Sequence, residues 1–446
     1  MSQPKTRMTN DNGIEVEPAA QKGTFEVLRI PSFAWFLTGT TLTNAAQWIQ
    51  NVTLSWLVYD LTSSGALLGT LNLVRSIATV GLAPVAGVAI DRFPRRRLLY
   101  ATSIWLCSIS FAFGLVLLVN PTLVWPLFLF SFLGGVGQAL SMPLRQTVVF
   151  SITPRALTPN AVAFVQTGWA VMRSIGPAIG GILIVWVGPA ENFFVQAGAY
   201  ALVTFTIVKL HMPYERQDVA NDKSRTSFRE GWAYIASNPT TRAFLLISLL
   251  LPLFIIPNFE TLQPIYAKDI FEGGPDTLGM LLSAIGIGGI AGGFVTASLQ
   301  KMERRGVLQL ASLLLLSLSL IAFAMTTELW MGFGCLVLAG FCEIIFITTN
   351  MTLLQLSIPG SLRGRVTGIA SLRSGLAPVG AFIAGVGADL VGPKMMTIIF
   401  GSIIGTIAMI VFVASPSIRE YRLSQAIMNT DTDLLHKPFE HKEIET

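Results

Sequence analysis

Long apolar stretches alternate with short polar interruptions along this chain, and they recur at the length a helix needs to cross a bilayer. Apolar runs of about twenty residues predict helices near 33–59, 66–90, 97–119, 123–144, 160–186, 191–210, 243–266, 277–299, 307–326, 329–354, 366–388 and 394–415. The expected fold class is an all-α polytopic membrane protein with twelve transmembrane helices. One long internal polar break divides six spans from six. The expected organisation is a tail over 1–30, a six-helix bundle over 31–210, a central loop over 211–242, a second six-helix bundle over 243–415 and a tail over 416–446. The stretch from Met1 to Gln21 is polar and lacks an apolar signal region, so a disordered cytoplasmic tail is expected rather than a cleaved export peptide.

Composition points the same way: 52% of the residues are hydrophobic and 12% charged, which excludes a water-soluble core. Cys107, Cys335 and Cys342 all fall in apolar segments and read as small packing residues rather than disulfide or metal partners. With both termini cytoplasmic, only Lys268 and Lys394 of the 30 lysines and arginines lie outside, and only Arg75, Arg173 and Arg373 lie well inside spans. Shifting the frame by one helix would reverse that asymmetry. The net charge of +5 thus reflects topology, and with no extended basic domain a nucleic-acid partner is not expected. No Gly-x-x-x-x-Gly-Lys-Ser/Thr loop is present, and His211, His436 and His441 lie outside the spans. An ATP-driven pump, an enzyme, a cofactor and a metal site are therefore not expected.

Between the second and third spans lies a charged knot, Gly87-Val-Ala-Ile-Asp91-Arg92-Phe-Pro-Arg95-Arg96-Arg97. Its physical reading is a tight cytoplasmic hairpin: the glycine permits close helix packing, and the arginines hold the end on the cytoplasmic side. In the fifth span, Gly176-Pro177-Ala-Ile-Gly180-Gly181 removes a backbone donor and presents a nearly bare face. A kink and close helix approach are expected there. Faint repeats relate the halves, among them Arg173-Ser174-Ile-Gly-Pro177 and Arg373-Ser374-Gly-Leu-Ala-Pro378.

Charges inside spans are costly and demand a partner or an aqueous cavity. Glu343 is the deepest acid, and at about 1.5 Å per residue it and Arg373 both fall roughly 10 Å from the cytoplasmic face. That depth permits an ion pair between them. A structural bridge, a carboxylate that exchanges its pairing as a proton arrives, and direct substrate contact are the three readings. Arg75 and Arg173 lack a deep carboxylate in their own half, so Glu260 across the interface, kinked-helix carbonyls or an anionic substrate are the candidate partners.

The knot resembles the loop motif of the major facilitator superfamily, usually Gly-x-x-x-Asp-Arg-x-Gly-Arg-Arg, with Pro94 replacing the second glycine. Further stretches resemble its drug:proton antiporter-like branch, which includes enterobactin exporters. These are Trp56-Leu-Val-Tyr-Asp60-Leu-Thr-Ser, Pro159-Asn160-Ala161-Val162-Ala163 leading to the Arg173–Gly181 segment, Phe228-Arg-Glu230-Gly231-Trp-Ala-Tyr234, and Arg363-Gly364-Arg365-Val366. The resemblance covers residues 30–415 and implies a secondary transporter of the bacterial inner membrane, its site near midplane between two bundles. It implies export of an amphipathic small molecule, siderophore or drug, with protons as coupling partner. Metabolite uptake and a non-transporting receptor or scaffold are the alternatives. It implies that Asp91 locks a cytoplasmic gate against the eleventh helix, and that the glycine–proline segment marks an antiporter, although Met172 stands where another glycine is usual. It places Gln47, Gln50, Asn51, Gln138, Asn258 and Asn350 on cavity-lining helices, with Trp48, Trp56, Phe254 and Phe341 nearby. Ser131 stands where the branch has an arginine in its fourth helix, so coupling must rest on other residues.

Overall fold

The structure is a computed structural model describing residues 8–9, 15–16, 25–212, 228–299, 302–360 and 362–419. Most of the expected tails, residues 213–227 of the expected central loop, and Gln300, Lys301 and Ser361 lie outside the described residues. Apart from a two-residue strand pair, Met8–Thr9 with Glu15–Val16, the described chain is helical. The first set of helices comprises α1 (Pro31–Thr62), α2 (Gly65–Gly81), α3 (Ala83–Arg92), α4 (Arg95–Val119), α5 (Trp125–Ile152), α6 (Thr158–Val187) and α7 (Pro189–Val208). The chain continues through α8 (Phe228–Ser237), α9 (Pro239–Ser248), α10 (Ile256–Glu260), α11 (Gln263–Ile265), α12 (Pro275–Ser298) and α13 (Arg305–Met325). It ends with α14 (Leu329–Leu356), α15 (Arg363–Ser371), α16 (Ala377–Val391), α17 (Pro393–Ala414) and α18 (Pro416–Arg419).

By length and apolarity, nine helical segments among the described residues can cross a membrane, and α2 with α3, bent by 41°, makes a tenth. The helices α1 and α7 are long but more polar. Many apolar side chains point outward, with Trp186, Leu390, Phe294 and Trp330 at 80%, 79%, 73% and 73% exposure. Such a surface would aggregate in water and is satisfied by lipid.

Three expected continuous spans are interrupted, each at proline. Pro84 follows the break between α2 and α3, and Pro378 follows a tight 3-10 stretch, Leu372–Leu376, between α15 and α16. Pro252, Pro257 and Pro264 accompany two wide π-type turns, Leu251–Ile255 and Tyr266–Ile270, in the segment that starts at Pro239. A missing N–H and a ring clashing with the preceding turn account for these breaks. By contrast α6 has no break in its helix at Pro177. The turns after α6 and α16 correspond: Gly188 and Gly392, each before a proline, sit at φ 96° and 85°, a region open to glycine.

The helices α1, α4, α5, α6 and α7 pack on one another, as do α12, α13, α14, α16 and α17. The two sets meet along α2 against α16 and α6 against α12. Glycines make that approach possible and also show where it stops. A Cβ on Gly65 or Gly69 would strike the backbone of Gly385 or Ala381, whereas Gly81 and Gly87, further along the same line, face open space, as do Gly364, Gly368 and Gly375 opposite. The molecule is thus sealed at the end carrying Asp60 and Lys268 and parted at its arginine-rich end. Gly87 accordingly makes none of the close packing expected of it in this conformation.

Candidate functional site

Four charged side chains meet where the helix sets touch. Arg173 of α6 donates through Nη2 to Oε2 of Glu343 on α14 at 2.6 Å, and that carboxylate is almost wholly buried. Arg75 of α2 is held by Asn51 and Asn72 and stands 4.0 Å from Glu260 of α10. Trp48 of α1 lies between the two pairs: it lines, together with Glu260 and Leu282, both small cavities of the site, about 30 and 20 Å³. Each volume suits a water and not an organic molecule. Trp169 adds a ring face 5.7 Å from the Arg173 guanidinium. The site is balanced, two cations against two acids, which is the arrangement that makes charges tolerable at membrane depth.

The arrangement corrects the expected pairing of Glu343 with Arg373. Depth along the helix was readable, but facing was not: Glu343 points across to α6. Arg373 sits on the 3-10 stretch and lines a separate apolar cavity beside Arg242. Glu260 reaches Arg75 from the other helix set. Two expected cavity residues are turned into helix contacts instead. Gln50 is buried against Gly134 of α5, and Asn350 donates to the Phe244 carbonyl at 3.2 Å. Gln47 and Gln138 are half-buried. The glycine–proline segment is a packing face: Gly176 lies against Trp48, Gly180 against Ile49, Gly181 against Pro275, and Pro177 against Gly279. The Ala178 N–H beside it donates to Ser283 of α12 at 3.1 Å.

In the charged knot, Asp91 and Arg92 are exposed, Arg95 bonds Ser151, and Arg96 donates to the Val208 carbonyl at 2.9 Å. At the sealed end the two sets are tied by polar contacts that the sequence reading missed. Asp389 of α16 accepts from the Gly65 and Ala66 N–H groups at 2.6 and 2.9 Å and from the Ser64 hydroxyl at 3.0 Å. Lys268 reaches Asp60 at 2.8 Å, and the Tyr59 hydroxyl bonds Asp269. A signal for Asp389 existed: Ala384-Gly385-Val386-x-x-Asp389 repeats the Ala86-Gly87-Val88-x-x-Asp91 of the knot. Arg145 was also missed. It lies inside α5, which runs eight residues beyond the expected end at 144, and it bonds Ser141 and Thr40. Among the described residues no cluster of three metal-ligating side chains occurs.

Two packed helix sets, a lipid-compatible surface and a charged centre at their contact define a polytopic membrane transporter. The chain belongs to the transmembrane secretion effector family of the major facilitator superfamily, whose sequence pattern matches residues 22–442. It is similar to the staphyloferrin A transporter of Staphylococcus aureus, at 25% identity over 80% of this chain and 90% of that protein. The multidrug efflux pump Tap of Mycolicibacterium fortuitum is 26% identical over 78% and 87%. The enterobactin exporter EntS of Escherichia coli is 26% identical over 68% and 73%. Among solved structures, a bacterial homologue of the lysosomal transporter Spinster shares the fold at a TM-score of 0.71 and 14% identity, covering 88% of this chain and 98% of that one. A bacterial homologue of ferroportin does so at 0.66 and 17%, covering 86% and 98%.

Proposed function

We propose that the protein exports amphipathic small molecules of the siderophore or drug class by alternating access across the bacterial inner membrane, coupled to protons. In this reading the chain has twelve spans in two six-helix bundles over 31–210 and 243–415, with both termini cytoplasmic. The arginine-rich parted end is then cytoplasmic, by the positive-inside rule. The conformation described is open to the cytoplasm, the side from which an exporter takes its load. Relatives whose names state siderophore transport or drug efflux support that substrate class.

The observation that carries the coupling proposal is the buried bridge from Arg173 to Glu343 across the helix sets. Rocking open at the sealed end separates α6 from α14, and an unpaired buried charge costs about 3–5 kcal/mol. Protonating Glu343 removes the negative partner at the moment of separation, so proton uptake and opening become one event. In proteoliposomes, Glu343→Gln is expected to abolish uphill transport driven by an imposed pH gradient while substrate binding and exchange persist. Full gradient-driven transport by that variant would leave Glu343 a structural residue.

A further inference from the structure

A larger cavity, of about 590 Å³, opens at the arginine-rich end and is distinct from the charged centre. Its volume lies within the roughly 300–1,000 Å³ of ligand pockets. The walls are the apolar side chains of α9 and of the α15–α16 junction, Leu245, Leu249, Ile369 and Leu376 among them, closed by Trp232 and Ile235 of α8. Two arginines, Arg242 and Arg373, are among the residues that line it. Arg242 spends one donor on the Ala236 carbonyl at 3.3 Å, and among the described residues neither arginine pairs with a carboxylate. The helix α8 is fixed in place, not adrift: Glu230 pairs with Arg365, and the Tyr234 hydroxyl donates to the Ser357 carbonyl at 2.7 Å. Trp232 remains exposed on it, as a tryptophan at the lipid–water boundary is.

We propose that this cavity binds an anionic phospholipid of the adjoining leaflet, its phosphate on Arg242 and Arg373 and its acyl chain along the leucines. An oily chamber favours a chain, and a pair of planar donor forks favours a phosphodiester. Basic pockets between spanning helices on the cytoplasmic side recognise such headgroups. Occupancy would wedge α8 against the 3-10 stretch of the eleventh span, which is where that span can bend.

The test uses the full chain in a mild detergent, titrated with phosphatidylglycerol or phosphatidylcholine and read by native mass spectrometry. The wild type is expected to retain one phosphatidylglycerol, and Arg242→Gln/Arg373→Gln to bind it about 25-fold more weakly, at roughly fivefold per arginine. Leu249→Trp, which fills the chain's space and keeps both arginines, is expected to lose it as well, covering the case in which the double variant fails to fold. Equal retention of phosphatidylcholine, or unchanged phosphatidylglycerol binding by either variant, overturns the proposal. Displacement by millimolar inorganic phosphate also overturns it, because the cavity would then be a simple anion site.

Discussion

At the residue scale, the properties of Arg173 decide what its pair with Glu343 can do. A guanidinium is a rigid planar fork whose charge is spread over several donors, and Arg173 also lies against the Trp169 ring. Lysine in its place keeps the charge but loses the fork and the stacking. Under the coupling proposal, Arg173→Lys is expected to slow transport of every substrate about tenfold, a loss of about 1.4 kcal/mol, without changing the rank order among anionic, neutral and cationic compounds. Flux assays with three such substrates check this, and a loss confined to anions would instead make Arg173 a substrate contact. Sequence located Glu343 as the deepest acid because polar residues stand out in an apolar run. The partner was not legible, since Arg173 is distant in sequence and the facing of a nearly all-apolar helix leaves no stripe to read. Arg145 escaped for a related reason: one residue beyond the expected end at 144, it reads as a helix end until packing shows it inside.

At the element scale, the sealed end depends on the start of α2. Four unpaired N–H groups open every helix, and here a carboxylate from the opposite helix set, Asp389, satisfies two of them along with the Ser64 hydroxyl. A charge so placed contributes up to about 2 kcal/mol. Removing it favours the alternative in which α2 and α16 part. Asp389→Asn is expected to increase opening at this end roughly tenfold or more, read as broadened spin-label distances between Thr62→Cys and Val391→Cys in a cysteine-free background. The glycine seam makes an independent case. Gly385→Leu places atoms against the Gly65 carbonyl, so the same labels are expected to stay apart and transport to fall, with insertion intact. An unchanged distance distribution in both variants would show that this end is sealed by other contacts. Sequence marked the glycines but not which of them touch, because mutual approach depends on two helices and a register between them. The proline breaks between α2 and α3, after α9, and between α15 and α16 were similarly hidden, since hydropathy runs on unaltered through a broken helix.

At the scale of the whole molecule, Ala-Gly-Val-x-x-Asp closes α3 at one end and α16 at the other. In the conformation described, Asp389 of α16 caps the start of α2, while Asp91 of α3 is exposed near the parted end. The helices α2 and α16 are antiparallel neighbours, so if the bundles rock, Asp91 meets the start of α15 when the arginine-rich end closes. The two carboxylates then act as opposed latches, each occupied when the other is free. The repeat itself stands in the sequence at 86–91 and 384–389, where the sequence reading passed over it. The reciprocity does not, because it exists only between conformations. Asp91→Asn is expected to hold the molecule in the state seen here, lowering transport at least fivefold while the protein inserts and expresses normally. Combining it with Asp389→Asn removes both latches and is expected to restore part of the lost flux, since the balance between the two states, rather than either alone, governs turnover. Transport assays on the single and double variants, alongside spin-label distances at both ends, check this. Additive losses in the double variant would sink the reciprocal arrangement, and normal flux by Asp91→Asn would remove its role in closing the arginine-rich end.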